Sequence, residues 1–194
     1  MEQIQVYPIF DRFCDYNDHY DGELPELGDA LGRDCMIAAF LPEKMDFARH
    51  YLGDGSRNED WFSFNAKVYA PVSGTISDIR INPVTNEPGH MNPSPASCIS
   101  IDAGDGLTVL LAHIQSPVVS VGDRVTEGQY LAHVGNNGYS RNPHIHIGAY
   151  RNGSPVAVSF DPQKVGEAAR RVDECYWIFG ISDEEYKEKY GKPE

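Results

Sequence analysis

The stretch Pro143-His144-Ile145-His146-Ile147 alternates apolar and polar residues, the period of a β-strand. His144 and His146 therefore face the same side, about 6.5–7 Å apart along the strand. Two imidazoles so placed suit a metal ion, or an acid–base pair beside one. His113 ends a second strand-like run, residues 107–111. If the two strands are neighbours, three imidazoles meet in one place. Two histidines at this spacing also occur by chance on polar strand faces, so the surrounding elements must decide.

Those elements are short strands. Residues 98–102 and 107–113 flank Ala103-Gly104-Asp105-Gly106, a hairpin signal. Residues 67–76 read as strand, turn and strand around Pro71 and Gly74. Residues 118–121 and 130–134 read as strands enclosing turns at Gly122-Asp123 and Glu127-Gly128. Gly135-Asn136-Asn137-Gly138 is a further turn, leading into the His144 strand. Residues 35–41 form an apolar run ending at Pro42, the pattern of a buried strand. Lys44-Met45-Asp46-Phe47-Ala48 reads as its continuation, with Asp46 facing away from both Met45 and Phe47. Strands at this spacing predict a mostly β domain, an antiparallel sandwich or barrel, over residues 35–160. Two polar segments, residues 51–65 and 82–97, read as loops that wall a groove.

Helical patterns follow only after the β region, at residues 164–171 and 183–190, the second with Ser182 as N-cap. Residues 161–194 are therefore expected to form a small helical appendage, packed through Tyr176, Trp177, Ile178 and Phe179. Residues 1–34 are rich in carboxylates: Asp11, Asp15, Asp18, Asp21, Glu23, Glu26 and Asp29, with His19 among them. The spacing of a calcium loop is absent, so they read as a solvated, loop-rich extension.

A formal net charge of −13 argues against nucleic-acid binding, which depends on neutralising phosphates, and against a basic membrane-surface patch. An acidic chain suits a cationic peptide or a metal ion. No apolar run approaches the length of a membrane span. Cys14, Cys35, Cys98 and Cys175 are scattered and form no CxxC pair, which excludes a cysteine zinc cluster and fits a reducing compartment. Met1-Glu2-Gln3-Ile4-Gln5-Val6 does not read as a secretion signal.

Five segments occur in an order that resembles one known family. They are Val68-Tyr69-Ala70-Pro71-Val72-Ser73-Gly74, Leu111-Ala112-His113, Val121-Gly122-Asp123-Arg124-Val125-Thr126-Glu127-Gly128-Gln129, Val134-Gly135-Asn136-Asn137-Gly138 and Pro143-His144-Ile145-His146. Together they are similar to the lysostaphin-type (LytM-like) zinc metallopeptidases, over about residues 40–150. The resemblance implies the family's antiparallel β fold, a duplicated hybrid motif related to lipoyl carriers. It implies Zn2+ as cofactor, with the second His of His-x-His, here His146, as a ligand. It implies acid–base roles for His113 and His144, acting on the attacking water and the tetrahedral intermediate. Peptide bonds of peptidoglycan or related short peptides are the implied substrate.

The family's remaining ligands come from a His-x-x-x-Asp motif, and here the sequence departs from it. Asp46 has the strand context, yet Pro42 stands four residues before it. His50-Tyr51-Leu52-Gly53-Asp54 has the spacing but lies in a glycine-containing loop. Strand context favours Asp46, with His50, or Glu43, supplying the missing ligand; the His50–Asp54 pair stays open. The leading expectation is a zinc metalloendopeptidase, with Asp46, His146 and His50 on the metal. The alternative is an inactive relative serving as a binding or regulatory module, its metal site degraded at the first His. A phosphocarrier domain, which also pairs histidines, fits the context of His144 less well. The composition reads as cytoplasmic while peptidoglycan lies outside the membrane, so location stays open at this stage.

Overall fold

The computed structural model describes residues 1–40 and 48–172, together with residues 177, 178, 184 and 188. Asp46 and Glu43, and most of the expected second helix, lie outside the described residues. The chain is mostly β. Its strands are β1 (Gln3–Val6), β2 (Cys14–Asp18), β3 (Arg33–Ile37), β4 (Ala39–Phe40), β5 (Ala48–Arg49), β6 (Lys67–Tyr69) and β7 (Gly74–Arg80). They continue with β8 (Cys98–Gly104), β9 (Leu107–Ala112), β10 (Ile114–Gln115), β11 (Arg124–Val125), β12 (Tyr130–Val134), β13 (Ile145–Arg151) and β14 (Ser154–Phe160). Helix α1 (Pro162–Val172) follows them.

The main sheet runs β1-β14-β13-β9-β8-β7-β11, with β3 on β13 and β2 on β3. Its centre is β13. One edge pairs with β9 from His146↔Ala112 to Arg151↔Leu107. The other edge is shared, with β3 against residues 145–147 and β14 against residues 149–151. A smaller sheet, β10-β12-β6, lies apart from it. The hairpin expected around Gly104-Asp105-Gly106 forms between β8 and β9, and all three turn residues adopt positive φ.

Alternation decides what each strand buries. Ile145 and Ile147 are fully buried in the main core with Leu111, Val109, Ile99, Ile101 and Leu131. His146, between the two isoleucines, must point to the opposite face. Residues 118–121 do not form a strand. Val118 and Val121 are exposed, and the chain turns there, with Asp123 accepting a hydrogen bond from the Ser120 amide.

Residues 1–34 are also more structured than loop. β1 adds to the sheet in parallel with β14, and β2 pairs with β3 over five residues, Cys14↔Ile37 to Asp18↔Arg33. Acidic side chains hid this pairing, because β2 presents Asp15, Asn17 and Asp18 to partners and solvent. Trp177 packs with Tyr7 and Ala168 in a second small cluster, and its carbonyl accepts the Phe13 amide. Ile178 is exposed, while Tyr176 and Phe179 lie outside the described residues. No helix among the described residues is long and apolar enough to cross a membrane.

Because Ile147 has no exposed surface and is the neighbour of His146 on β13, facing the core, Ile147→Ala is expected to destabilise the fold by about 2–5 kcal/mol. Urea denaturation followed by circular dichroism measures this. A loss below about 0.5 kcal/mol would mean that the core does not rest on β13.

Candidate metal centre

The site is built where β13 lies between β3 and β9. His146 is opposite Asp34 on one side and Ala112 on the other. His113 follows Ala112 directly, at the end of β9, with φ +66. That left-handed backbone is uncommon for a side chain with a Cβ, and it takes His113 off the strand's alternation. His144 precedes β13. The sheet thus brings His113, His144 and His146 together, all less than 10% exposed. The His113 and His144 rings are 4.5 Å apart at their centroids.

Three imidazoles converge on one carboxylate oxygen. Asp34 Oδ1 is 3.0 Å from His146 Nδ1, 3.3 Å from His19 Nε2 and 3.5 Å from His144 Nε2. His19 follows β2, and its amide donates to the Gly32 carbonyl across the β2–β3 pairing. Gly32 has to be glycine: a Cβ there would lie 2.7 Å from His146 Cε1 and 2.9 Å from the Ile147 carbonyl oxygen.

Backbone carbonyls fix the two outer imidazoles. His113 Nδ1 is 2.8 Å from the Asn137 carbonyl oxygen, and His144 Nδ1 is 2.8 Å from that of Asn142. A carbonyl only accepts, so Nδ1 carries the proton in each ring and Nε2 is left for chemistry. Asn137 is itself clamped: its side chain donates to the Ile114 carbonyl and accepts the Ser97 amide. Ser140 Oγ lies 3.2 Å from His144 Nδ1 and 2.8 Å from both Asn136 Oδ1 and the Asn142 carbonyl oxygen, one of which takes its single proton.

The environment separates the charges of these groups. Burial, helped by neighbouring His144, pushes the His113 pKa down to about 3, so that ring is neutral at pH 7. Burial also opposes charge on His144, but hydrogen bonding to Asp34 and its negative charge override it and raise the pKa. For Asp34 burial pulls upward, yet hydrogen bonds to His144 and His146 and their charges hold the carboxyl well below its usual range. Burial raises the pKa of Asp29.

His19, Asp34 and His146 each offer a donor atom, all within 4.8 Å of one another. This donor set fits zinc, which takes imidazole nitrogen and carboxylate oxygen in tetrahedral sites with bonds of about 2.0–2.2 Å. His19 Nε2, which faces Asp34, is buried with no hydrogen-bond partner; so is His146 Nε2, on the other side of its ring from the nitrogen that faces Asp34. Orphaned nitrogens of this kind are costly unless something charged or polar takes them up.

The groove above the site holds about 400 Å3. It is lined by Asp34, Ala112, His113, His144 and His146, with Glu26 and Asp29 from the segment before β3, and with Arg80, Pro93 and Tyr139. Of the two long loops, residues 82–97 wall this groove. Residues 51–65 do not line it; their Asn58 accepts a hydrogen bond from Asn136 Nδ2.

His50 is not part of this group. The β4–β5 pairing, Ala39↔Arg49, turns it towards β2, where its Nε2 is 3.1 Å from Asp15 Oδ2. Asp54 is exposed and accepts the Ser56 amide. Both line a separate shallow pocket. Asp34 and His19 escaped sequence reading because their partner, His146, is more than a hundred residues away. One signal was available: Asp34 is the last polar residue before the apolar run at residue 35, with glycine two before it.

Residues 60–158, just over half of the chain, match the model of peptidase family M23. No curated protein matches the sequence significantly. Among solved structures, a mutant catalytic domain of the prophage-encoded M23 protein EnpA from Enterococcus faecalis is 17% identical, with a TM-score of 0.51; the match covers 78% of this chain and 93% of that one. The catalytic domain of the antimicrobial peptidase lysostaphin from Staphylococcus simulans is 20% identical, covering 73% of this chain and 84% of that one, at a TM-score of 0.45. A zinc-containing peptidase from Vibrio cholerae is 17% identical at a TM-score of 0.47 over 77% of this chain. This chain spans only 37% of that structure's length, and half of a peptidase M23 structure from Pseudomonas aeruginosa. Identities this low speak to fold alone, and the EnpA domain is the one of these with a TM-score above 0.5. The matched segment carries His113, His144 and His146 and leaves His19 and Asp34 outside it. The chain belongs to peptidase family M23.

Proposed function

We propose that the chain is a zinc-dependent endopeptidase acting on short peptides of the peptidoglycan type. The observation that carries this is the convergence of His19, His144 and His146 on Asp34 Oδ1 at the floor of an open groove. His19, Asp34 and His146 would hold the ion, leaving an open position as catalytic zinc sites do. Bound there, zinc supplies a Lewis acid and lowers the pKa of water towards neutrality. His144, its Nε2 beside Asp34, is placed to take a proton from the attacking water and return it to the leaving amine. His113, neutral and locked with Nε2 free, is placed to exchange a proton or hydrogen bond with the developing tetrahedral centre.

This ligand set answers the departure noted in the sequence. Four residues before Asp34 stands Ala30, not histidine, and His19 arrives instead from the neighbouring strand. The triad is complete without Asp46 or His50. The groove's volume and its mixed lining, which includes carboxylates, Arg80 and Tyr139, support a peptide with polar or charged ends.

Elemental analysis of protein purified without chelators tests the ligands. Stoichiometric zinc is expected in wild type, in Asp46→Ala and in His50→Ala. It is expected to be lost from folded Asp34→Ala and His146→Ala. Zinc kept by Asp34→Ala and lost from Asp46→Ala would move the carboxylate ligand to Asp46. A wild type that takes up no zinc would leave a non-catalytic binding module.

The His113→Ala variant separates catalysis from metal binding. It should keep its zinc and lose roughly a hundredfold or more in turnover of peptidoglycan-derived peptides. Loss of zinc from this variant would overturn the role assigned to His113.

A further inference from the structure

The segment that runs from the end of β2 into the start of β3, residues 19–34, supplies more than its two candidate ligands. It folds over the site as a strap, tied down where the Tyr150 hydroxyl donates to the Gly28 carbonyl and where the His19 amide donates to the Gly32 carbonyl. In each candidate ligand imidazole one nitrogen faces Asp34: Nε2 in His19 and Nδ1 in His146. The other nitrogen of each ring faces a carboxylate of the strap. His19 Nδ1 is 3.4 Å from Glu23 Oε2, and His146 Nε2 is 3.9 Å from Asp29 Oδ1.

We propose that Glu23 and Asp29 are positioning residues of the metal centre, each set as the carboxylate that would take the outer N–H of one ligand imidazole once an ion holds the inner nitrogen, so that the strap and β3 form a single metal-holding unit. This rests on the zinc reading above. An imidazole that gives one nitrogen to a cation must carry its proton on the other, and that N–H needs an acceptor when buried. His146 is 4% exposed, and its Nε2 has no hydrogen-bond partner of its own. Asp29 Oδ1 is the carboxylate oxygen in ion-pair range of it. Glu23 is held for its task, since its Oε2 also accepts the Tyr20 amide at 3.1 Å. An anionic acceptor behind the ring fixes its orientation and makes the ligating nitrogen more basic. The arrangement also gives a reason for carboxylates to gather in this strap: three of them face one divalent cation through two imidazoles and one direct ligand.

The test is zinc affinity, measured on the full chain by competition with a chromogenic chelator, beside the visible spectrum of the cobalt(II)-loaded protein. Glu23→Ala and Asp29→Ala are each expected to weaken zinc binding about 10- to 100-fold and to alter the cobalt spectrum. Glu23→Gln and Asp29→Asn keep an acceptor oxygen and should recover part of the affinity. Melting of the metal-free variants should stay close to that of metal-free wild type. Zinc affinity unchanged in both alanine variants, while His146→Ala loses the metal, would overturn this inference and leave the zinc reading standing. Losses of affinity matched by an equal collapse of the metal-free fold, with no recovery in the amide variants, would also overturn it. A wild type without zinc affinity would remove both.

Discussion

Everything at this site depends on one carboxylate oxygen. Asp34 is half-buried, and a charge drawn partly out of water is tolerated where partners replace the water it has lost. Three imidazoles do so here, and they reach it from three separate parts of the chain: the end of β2, the turn before β13, and β13 itself. The interaction is therefore also a topological constraint. A slip of one residue between β3 and β13 would send Asp34 to the opposite face and bury Arg33 or Cys35 in its place. The fully buried Ile145 and Ile147 oppose such a slip, because it would carry them out of the core.

Preorganisation is carried by the backbone. The carbonyls of Asn137 and Asn142 choose the tautomers of His113 and His144; Asn137 is pinned through its own side chain, which donates to the Ile114 carbonyl, and the Asn142 carbonyl lies against Ser140 Oγ. The left-handed backbone of His113 fits this picture. A strained residue persists when its surroundings over-determine it, and His113 is bonded through its ring to Asn137 while its carbonyl accepts the Gly135 amide. The groove floor is thus set before any substrate arrives, on strand ends and not on free loops.

The parts legible in the sequence were those specified over short distances. Strand alternation around Ile145 and Ile147, the Gly104-Asp105-Gly106 turn and the ordered family segments all announce themselves within about ten residues. So did the shared face of His144 and His146. The other half of the centre was not legible, for a physical reason. Asp34 meets His146 through sheet register, and His19 meets Asp34 through the β2–β3 pairing; neither relation leaves a local spacing. Reading carboxylates at residues 11–29 as solvated loop followed composition, which records polarity but not whether a cation or an imidazole waits nearby. His50 was attractive because it stood four residues past Asp46 and four before Asp54; its imidazole lies against Asp15.

The recognised segment and the candidate ligand set divide the site between them. Residues 60–158 hold the groups proposed to handle protons, and residues 19–34 hold most of those that would hold the ion. A metal samples donor atoms in space and is indifferent to their order along the chain. A histidine four residues before an aspartate and a histidine fifteen residues before it are equivalent if the fold delivers the nitrogen to the same place. An antiparallel pair does this cheaply: β2 and β3 lie side by side from Cys14↔Ile37 to Asp18↔Arg33, so the residue after Asp18 arrives beside Gly32, within reach of Asp34. The glycine that lets the strap approach His146 and the carboxylates that face the rings from outside belong to the same solution. Ala30 leaves no hole in the ligand set, since its place is filled from across the sheet.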